Sequence, residues 1–165
     1  MAHTLLGPNS VNTNSDLPAV GSAAPDFTLV TADLQNVALA DYAGKNVILN
    51  IFPSIDTNVC ATSVREFNKR AASLDKTVVL CVSKDLPFAI KRFCGAEGID
   101  KVITVSDFRN KGFSKNYGVE LIDGAFEGLD ARAIVVIDKV GKIKYTELVP
   151  QIGQEPNYEA AIQAI

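Results

Sequence analysis

The chain has 165 residues, 47 % hydrophobic and 21 % charged, and its 16 basic and 19 acidic side chains give a formal net charge of −3. That length and balance predict one globular domain, residues 1–165, with enough apolar side chains for a single core. Basic residues form no run or patch, which argues against a nucleic-acid partner, and no apolar stretch approaches the ~18 residues of a membrane span.

Residues 1–25 read as loop, punctuated by Gly7, Pro8, Pro18, Gly21 and Pro25, and their polar character predicts no signal peptide. Short strands follow over residues 26–30 and 37–39, before a turn at Ala43-Gly44-Lys45. Residues 47–52, apolar apart from Asn50, predict a strand buried on both faces and ended by Pro53. Val59, Val64, Phe67, Ala71 and Leu74 are spaced as one face of a helix over residues 59–74, with Thr57 or Asn58 as its cap. A buried strand at 77–82 leads to a helix at 86–97, with Pro87 in its first turn and Gly95 or Gly98 as its stop. A strand at 102–105, a short helix at 110–117 and a loop with Gly118, Gly124 and Gly128 come next. Strands at 133–138 and 143–149 flank a turn at Lys139-Val140-Gly141-Lys142, and a last helix spans 156–165. This order predicts an α/β fold, a central mixed sheet flanked by helices, with parallel strands first and an antiparallel hairpin last. It suits an elaborated thioredoxin-like fold.

Chemistry concentrates at Pro53-Ser54-Ile55-Asp56-Thr57-Asn58-Val59-Cys60. Cys60 falls where a buried strand gives way to a helix, and the free amides of a helix start favour an anion. The thiolate is the nucleophilic form of cysteine, so Cys60 is the candidate reactive residue. Pro53 stiffens the strand exit and withholds a backbone donor. Thr57, three residues before Cys60, is within hydrogen-bonding reach of the sulfur in a first helical turn. Arg132 opens the apolar run 133–137. It is read either as a second activating cation or as a strand-end arginine that faces water or pairs with Asp130. Cys81, inside Val78-Val79-Leu80-Cys81-Val82, reads as core, and Cys94 as either core or functional. The three cysteines lack zinc-ligand spacing and there is no Cys-x-x-Cys, so a metal site and a disulfide-reductase motif are both disfavoured. The odd count fits a reducing, cytoplasmic setting. His3, the sole histidine, is placed in a loose terminus.

Pro53-x-x-x-Thr57-x-x-Cys60 resembles the peroxiredoxin active-site pattern. Asn50-Ile51-Phe52-Pro53-Ser54-Ile55-Asp56-Thr57, Arg92-Phe93-Cys94-Gly95-Ala96-Glu97-Gly98 and Ala131-Arg132-Ala133 resemble the bacterial thiol peroxidases, the atypical 2-Cys branch. The resemblance runs from about Gly21 to the C-terminus. Members of that branch begin with a β-hairpin, and residues 4–17 show its alternation only faintly, so residues 1–20 are an extension in which a hairpin is an open expectation. The resemblance implies a thioredoxin-like peroxiredoxin fold, with Cys60 as peroxidatic cysteine, Cys94 as resolving cysteine, Thr57 and Arg132 as activating groups and Pro53 as shield. It further implies reduction of hydrogen peroxide and of alkyl or lipid hydroperoxides through a sulfenic acid and an intrachain disulfide. Recycling by thioredoxin, a homodimer and no cofactor or metal complete the expectation. Phe52, Ile55, Val59 and Phe88 are the apolar residues offered for a substrate pocket. The alternative is a non-catalytic thioredoxin-fold sensor that relays peroxide oxidation to a partner protein.

Overall fold

The computed structural model describes residues 1–109 and 112–165. It departs from the sequence reading at the very start. Strands β1 (His3–Leu6) and β2 (Asn9–Asn12) pair antiparallel, so the first residues form a hairpin rather than a loop, and His3 opens a strand. Remote partners hold it. The Thr4 hydroxyl donates to the Val149 carbonyl (2.7 Å), and Leu5 exchanges backbone bonds with Pro150 (3.0 Å) and Ile152 (2.8 Å). Asn12 donates from its backbone and side chain to the Asp123 carboxylate, both at 2.8 Å. The glycine-rich loop is shaped for this contact. Gly118 and Gly124 have φ of +69° and +77°, and a Cβ there would lie 2.1 Å from the Asp16 carbonyl oxygen and 2.6 Å from a Val11 methyl.

The main sheet, among the described residues, has seven strands in the order β4-β3-β7-β6-β5-β8-β9. These are β3 (Thr28–Thr31), β4 (Asn36–Ala38), β5 (Asn46–Ile51), β6 (Thr77–Ser83), β7 (Ile103–Ser106), β8 (Ala133–Ile137) and β9 (Ile143–Leu148). Only β5, β6 and β7 run parallel to their neighbours in that trio; β3 pairs antiparallel with both β4 and β7. The expected parallel start is therefore corrected: an antiparallel pair precedes the parallel strands and joins the sheet beyond β7. The closing antiparallel hairpin, β8–β9, is as expected, and β8 also lies antiparallel to β5.

The helices are α1 (Asn58–Ala71), α2 (Pro87–Glu97), α3 (Gly112–Asn116) and α4 (Tyr158–Gln163). Gly98, in the left-handed region at φ +65°, caps α2, whereas Gly95 lies within it. The first two residues of the expected helix at 110–117, Asn110 and Lys111, fall outside the described residues. Both sheet faces are covered, which accounts for the unbroken apolar run in β5. Ile48, Val79, Ile134 and Val136 pack under Val64 and Phe67 of α1 and Tyr158 and Ala161 of α4. Leu49, Ile51, Leu80, Val135 and Ile137 face Phe27, Tyr42, Phe113 and Tyr117 on the other side.

A charged cluster is buried beside β8. Lys84 donates to Asp107 (3.0 Å) and to the Ser114 hydroxyl (2.6 Å), and lies 3.7 Å from Asp130. Both aspartates are fully buried. Burial, and then the neighbouring Asp107 carboxylate, push the Asp130 carboxyl well above its usual value, with Lys84 opposing them. A carboxyl raised on folding stabilises the protein below its unfolded pKa, and that contribution is lost as pH rises toward the folded value. Asp130→Asn is therefore expected to flatten the fall of the denaturant midpoint as pH rises above the ordinary carboxylate value of about 4. Equal slopes for variant and wild type in urea titrations across that range would sink this assignment.

Candidate active site

The strand β5 ends against β6, with the Phe52 amide donating to the Val82 carbonyl (3.1 Å), and the chain then crosses residues 53–57 into α1. Thr57 is the N-cap in extended conformation, without a side-chain capping bond, and Cys60 is the third helical residue. Cys60 thus lies among the amides that have no partner within the helix, as the sequence placed it. Its side chain is fully buried. The Thr57 hydroxyl donates to the Ser54 carbonyl (2.9 Å) rather than to the sulfur, which corrects the expected Thr57–Cys60 bond.

Arg132 faces neither water nor Asp130. It is 2 % exposed, and its guanidinium donates through Nε to the Ile152 carbonyl (2.6 Å) and through Nη2 to the Cys60 sulfur (3.1 Å). Its buried Nη1 has no hydrogen-bond partner among the described residues. Pro53, Thr57, Asn58, Val59 and Arg132 line a cavity of about 170 Å³, closed on its other sides by Leu6, Phe126, Ile152 and Gly153. The structure therefore brings Pro53, Thr57 and Arg132 to one cavity directly beside Cys60. Of the residues offered for an apolar pocket, Val59 lines this cavity, whereas Phe52 and Ile55 are core and Phe88 is 69 % exposed on the surface. The walls the sequence did not reveal come from the N-terminal hairpin (Leu6), the glycine-rich loop (Phe126) and the segment after β9 (Ile152 and Gly153).

Cys94 lies in the last turn of α2, half-buried, with its thiol 3.0 Å from the Thr104 hydroxyl of β7. Burial raises its pKa above the usual thiol value, and the Thr104 hydrogen bond offsets this in part. Cys81 is core, with burial pushing its pKa up to about 12; the Asn50 amide donates to its sulfur (3.6 Å). All three thiols are free. Two ion pairs join the helix carrying Cys94 to the other helix and its approach. Arg65 of α1 holds Glu97 through Nε and Nη2 (3.0 and 2.8 Å), and Arg92 of α2 reaches Asp56 (3.1 Å).

Asp85 was not singled out from the sequence. Its carboxylate accepts from the Ser54 hydroxyl (2.7 Å), the Ile55 amide (2.6 Å) and the Ser83 hydroxyl (2.7 Å), and so grips the approach to α1. A polar Ser-x-Asp at the carboxyl end of a buried parallel strand, level with the end of β5, was the available signal.

No group of three or more His, Cys, Asp or Glu among the described residues is arranged to hold a metal ion, and no helix there is long and apolar enough to cross a membrane. Residues 19–162 match the family model described as Redoxin. The chain is 59 % identical over 165 residues to the thiol peroxidase of Mycobacterium tuberculosis H37Rv, covering all of this chain and 99 % of that protein. The thiol peroxidase of Mycobacterium bovis is equally similar, at 59 % over the same coverage. Among solved structures, the peroxiredoxin-like protein from Aquifex aeolicus superimposes with a TM-score of 0.93 at 40 % identity, covering 98 % of this chain and 94 % of that one. Thiol peroxidase from Chromobacterium violaceum shares the fold, with a TM-score of 0.88 at 21 % identity and coverage of 96 % and 91 %. The chain belongs to the Redoxin family and, within it, to the thiol peroxidases, peroxiredoxin-type enzymes on a thioredoxin-like fold.

Proposed function

We propose that this protein reduces hydrogen peroxide and organic hydroperoxides through a sulfenic acid at Cys60 and a disulfide with Cys94, and is recycled by thioredoxin. One observation carries the reading: a buried arginine that lines a small cavity donates to the Cys60 sulfur, while a second nitrogen of its guanidinium has no partner among the described residues. The Cys60 thiolate attacks one peroxide oxygen, the O–O bond breaks, and the departing oxygen leaves as water or alcohol after taking a proton. Sulfur keeps the transferred oxygen as sulfenic acid. Arg132 Nη1 is the donor for charge developing on the departing oxygen. Pro53 and the apolar walls Leu6, Val59, Phe126 and Ile152 restrict water and accommodate the alkyl part of a hydroperoxide.

Resolution requires movement. The Cys60 sulfur is tied to Arg132 at the start of β8 and the Cys94 sulfur to Thr104 on β7, with β6 and β5 between those strands. A disulfide needs Cβ atoms roughly 3.5–4.5 Å apart, so both ties break and the two helix ends unwind locally. Leaving its half-buried position also removes the burial that raises the Cys94 pKa. Cys94 then displaces hydroxide from the sulfenic acid, and a dithiol reduces the resulting disulfide by exchange. The reading includes a cytoplasmic setting and a homodimer, for which exposed Leu86 and Phe88 supply apolar surface. Sedimentation velocity reads the dimer directly.

The test is peroxide-dependent NADPH oxidation with thioredoxin and thioredoxin reductase. Sustained turnover supports the peroxidase. If Cys60 oxidises but no turnover follows, the sensor that relays oxidation to a partner takes its place.

A further inference from the structure

The segment between β5 and α1 is fixed largely from outside itself. Asp85, which follows the end of β6, receives three hydrogen bonds: from Ser54 Oγ, from the Ile55 amide and from Ser83 Oγ, at 2.7, 2.6 and 2.7 Å. Ser54 passes this hold onward. Its hydroxyl accepts from the Asp56 amide (3.2 Å), and its carbonyl accepts from the Thr57 amide (3.1 Å) and the Thr57 hydroxyl (2.9 Å). With its hydrogen committed to Ser54, the Thr57 hydroxyl oxygen is left as an acceptor, and Thr57 lines the cavity next to Cys60. A hydroperoxide O–H is a donor. Arg132, which lines the same cavity and has Nη1 without a partner among the described residues, carries the complementary donor.

We infer that Asp85, acting through Ser54, is a positioning residue that sets the Thr57 hydroxyl to accept from a bound hydroperoxide during oxidation of Cys60. The inference rests on the peroxidase reading. Its chemistry depends on a carboxylate, because all three neighbours are donors and an amide at this place has one acceptor atom. With asparagine, an NH₂ meets either the Ser54 hydroxyl or the Ile55 amide. In the first case Ser54 must turn, and in the second two N–H groups oppose each other.

The experiment compares reduced wild type, Asp85→Asn and Ser54→Ala. Stopped-flow measurement follows Cys60 oxidation by hydrogen peroxide and by tert-butyl hydroperoxide. Alkylation of Cys60 by iodoacetamide is followed in parallel by mass spectrometry. Alkylation needs access to a reactive Cys60 sulfur but no acceptor at Thr57, so it reports the general condition of the α1 start. Both variants are expected to lose roughly 10- to 100-fold in oxidation rate while alkylation stays within about twofold. Oxidation at the wild-type rate in both variants, or a parallel fall in oxidation and alkylation, overturns the inference. If wild-type Cys60 is itself not oxidised by either hydroperoxide, the peroxidase reading fails and takes this inference with it, an outcome distinct from a variant-specific result.

Discussion

Cys60→Ser is expected to abolish peroxide-dependent NADPH oxidation, with a loss of at least about a thousandfold, because a serine hydroxyl in this place has no base beside it and is a far poorer nucleophile toward O–O than a thiolate. The sulfur is fully buried and receives the Arg132 Nη2 hydrogen bond, so serine fits the space, and the loss reports chemistry rather than folding. The companion variants divide the cycle. Cys94→Ser leaves the first oxidation intact and stops recycling, so a sulfenic acid accumulates that dimedone captures on Cys60. Cys81→Ser stays near wild type, since burial holds that thiol protonated at neutral pH, away from the cavity-lining residues. Full turnover by Cys60→Ser, or dimedone capture on Cys94 or Cys81 in place of Cys60, would refute the assignment of roles.

Arg132→Lys is expected to slow Cys60 oxidation by roughly 10²-fold although the charge is retained. The guanidinium does separate things from one rigid plane: Nε holds the Ile152 carbonyl, Nη2 reaches the sulfur, and Nη1 has no partner among the described residues. One ammonium on a flexible stem does not reproduce three directions at once. The defect falls on the oxidation step, and stopped-flow should find the rate of disulfide reduction by thioredoxin unchanged. Wild-type oxidation in the lysine variant would show that only a nearby positive charge is needed.

What could be read from the sequence follows the range of the forces involved. The β5-to-α1 junction was legible because its signals are local: an apolar run that needs two covered faces, a proline, and a helical spacing through Val64 and Phe67. Arg132 was ambiguous on the residues alone, since an arginine before a strand goes as easily to water as inward; the partner that decides it, Cys60, is 72 positions away. Asp85 escaped notice for the same reason, with Ser54 and Ile55 about thirty positions earlier in the chain. The cavity walls were misread at Phe88 because an aromatic in an amphipathic helix does not declare which neighbour covers it. Residues 1–25 looked like loop because β1 and β2 alternate only weakly, and their order comes from Val149, Pro150, Ile152 and Asp123.

That hairpin has a consequence for the order in which the molecule assembles. A two-stranded ribbon is marginal in water, and nearly all that fixes this one lies more than a hundred residues along the chain. Loop closure of that span is expected to follow the gathering of the sheet β5-β6-β8, so the hairpin residues are expected to be among the last to settle. In the native state the same ribbon is expected to open as a unit, its amides exchanging with solvent ahead of those in β5 when hydrogen exchange is followed. Leu6, one wall of the cavity, belongs to that hairpin, so this wall is expected to settle only after Arg132 and Cys60 are in place.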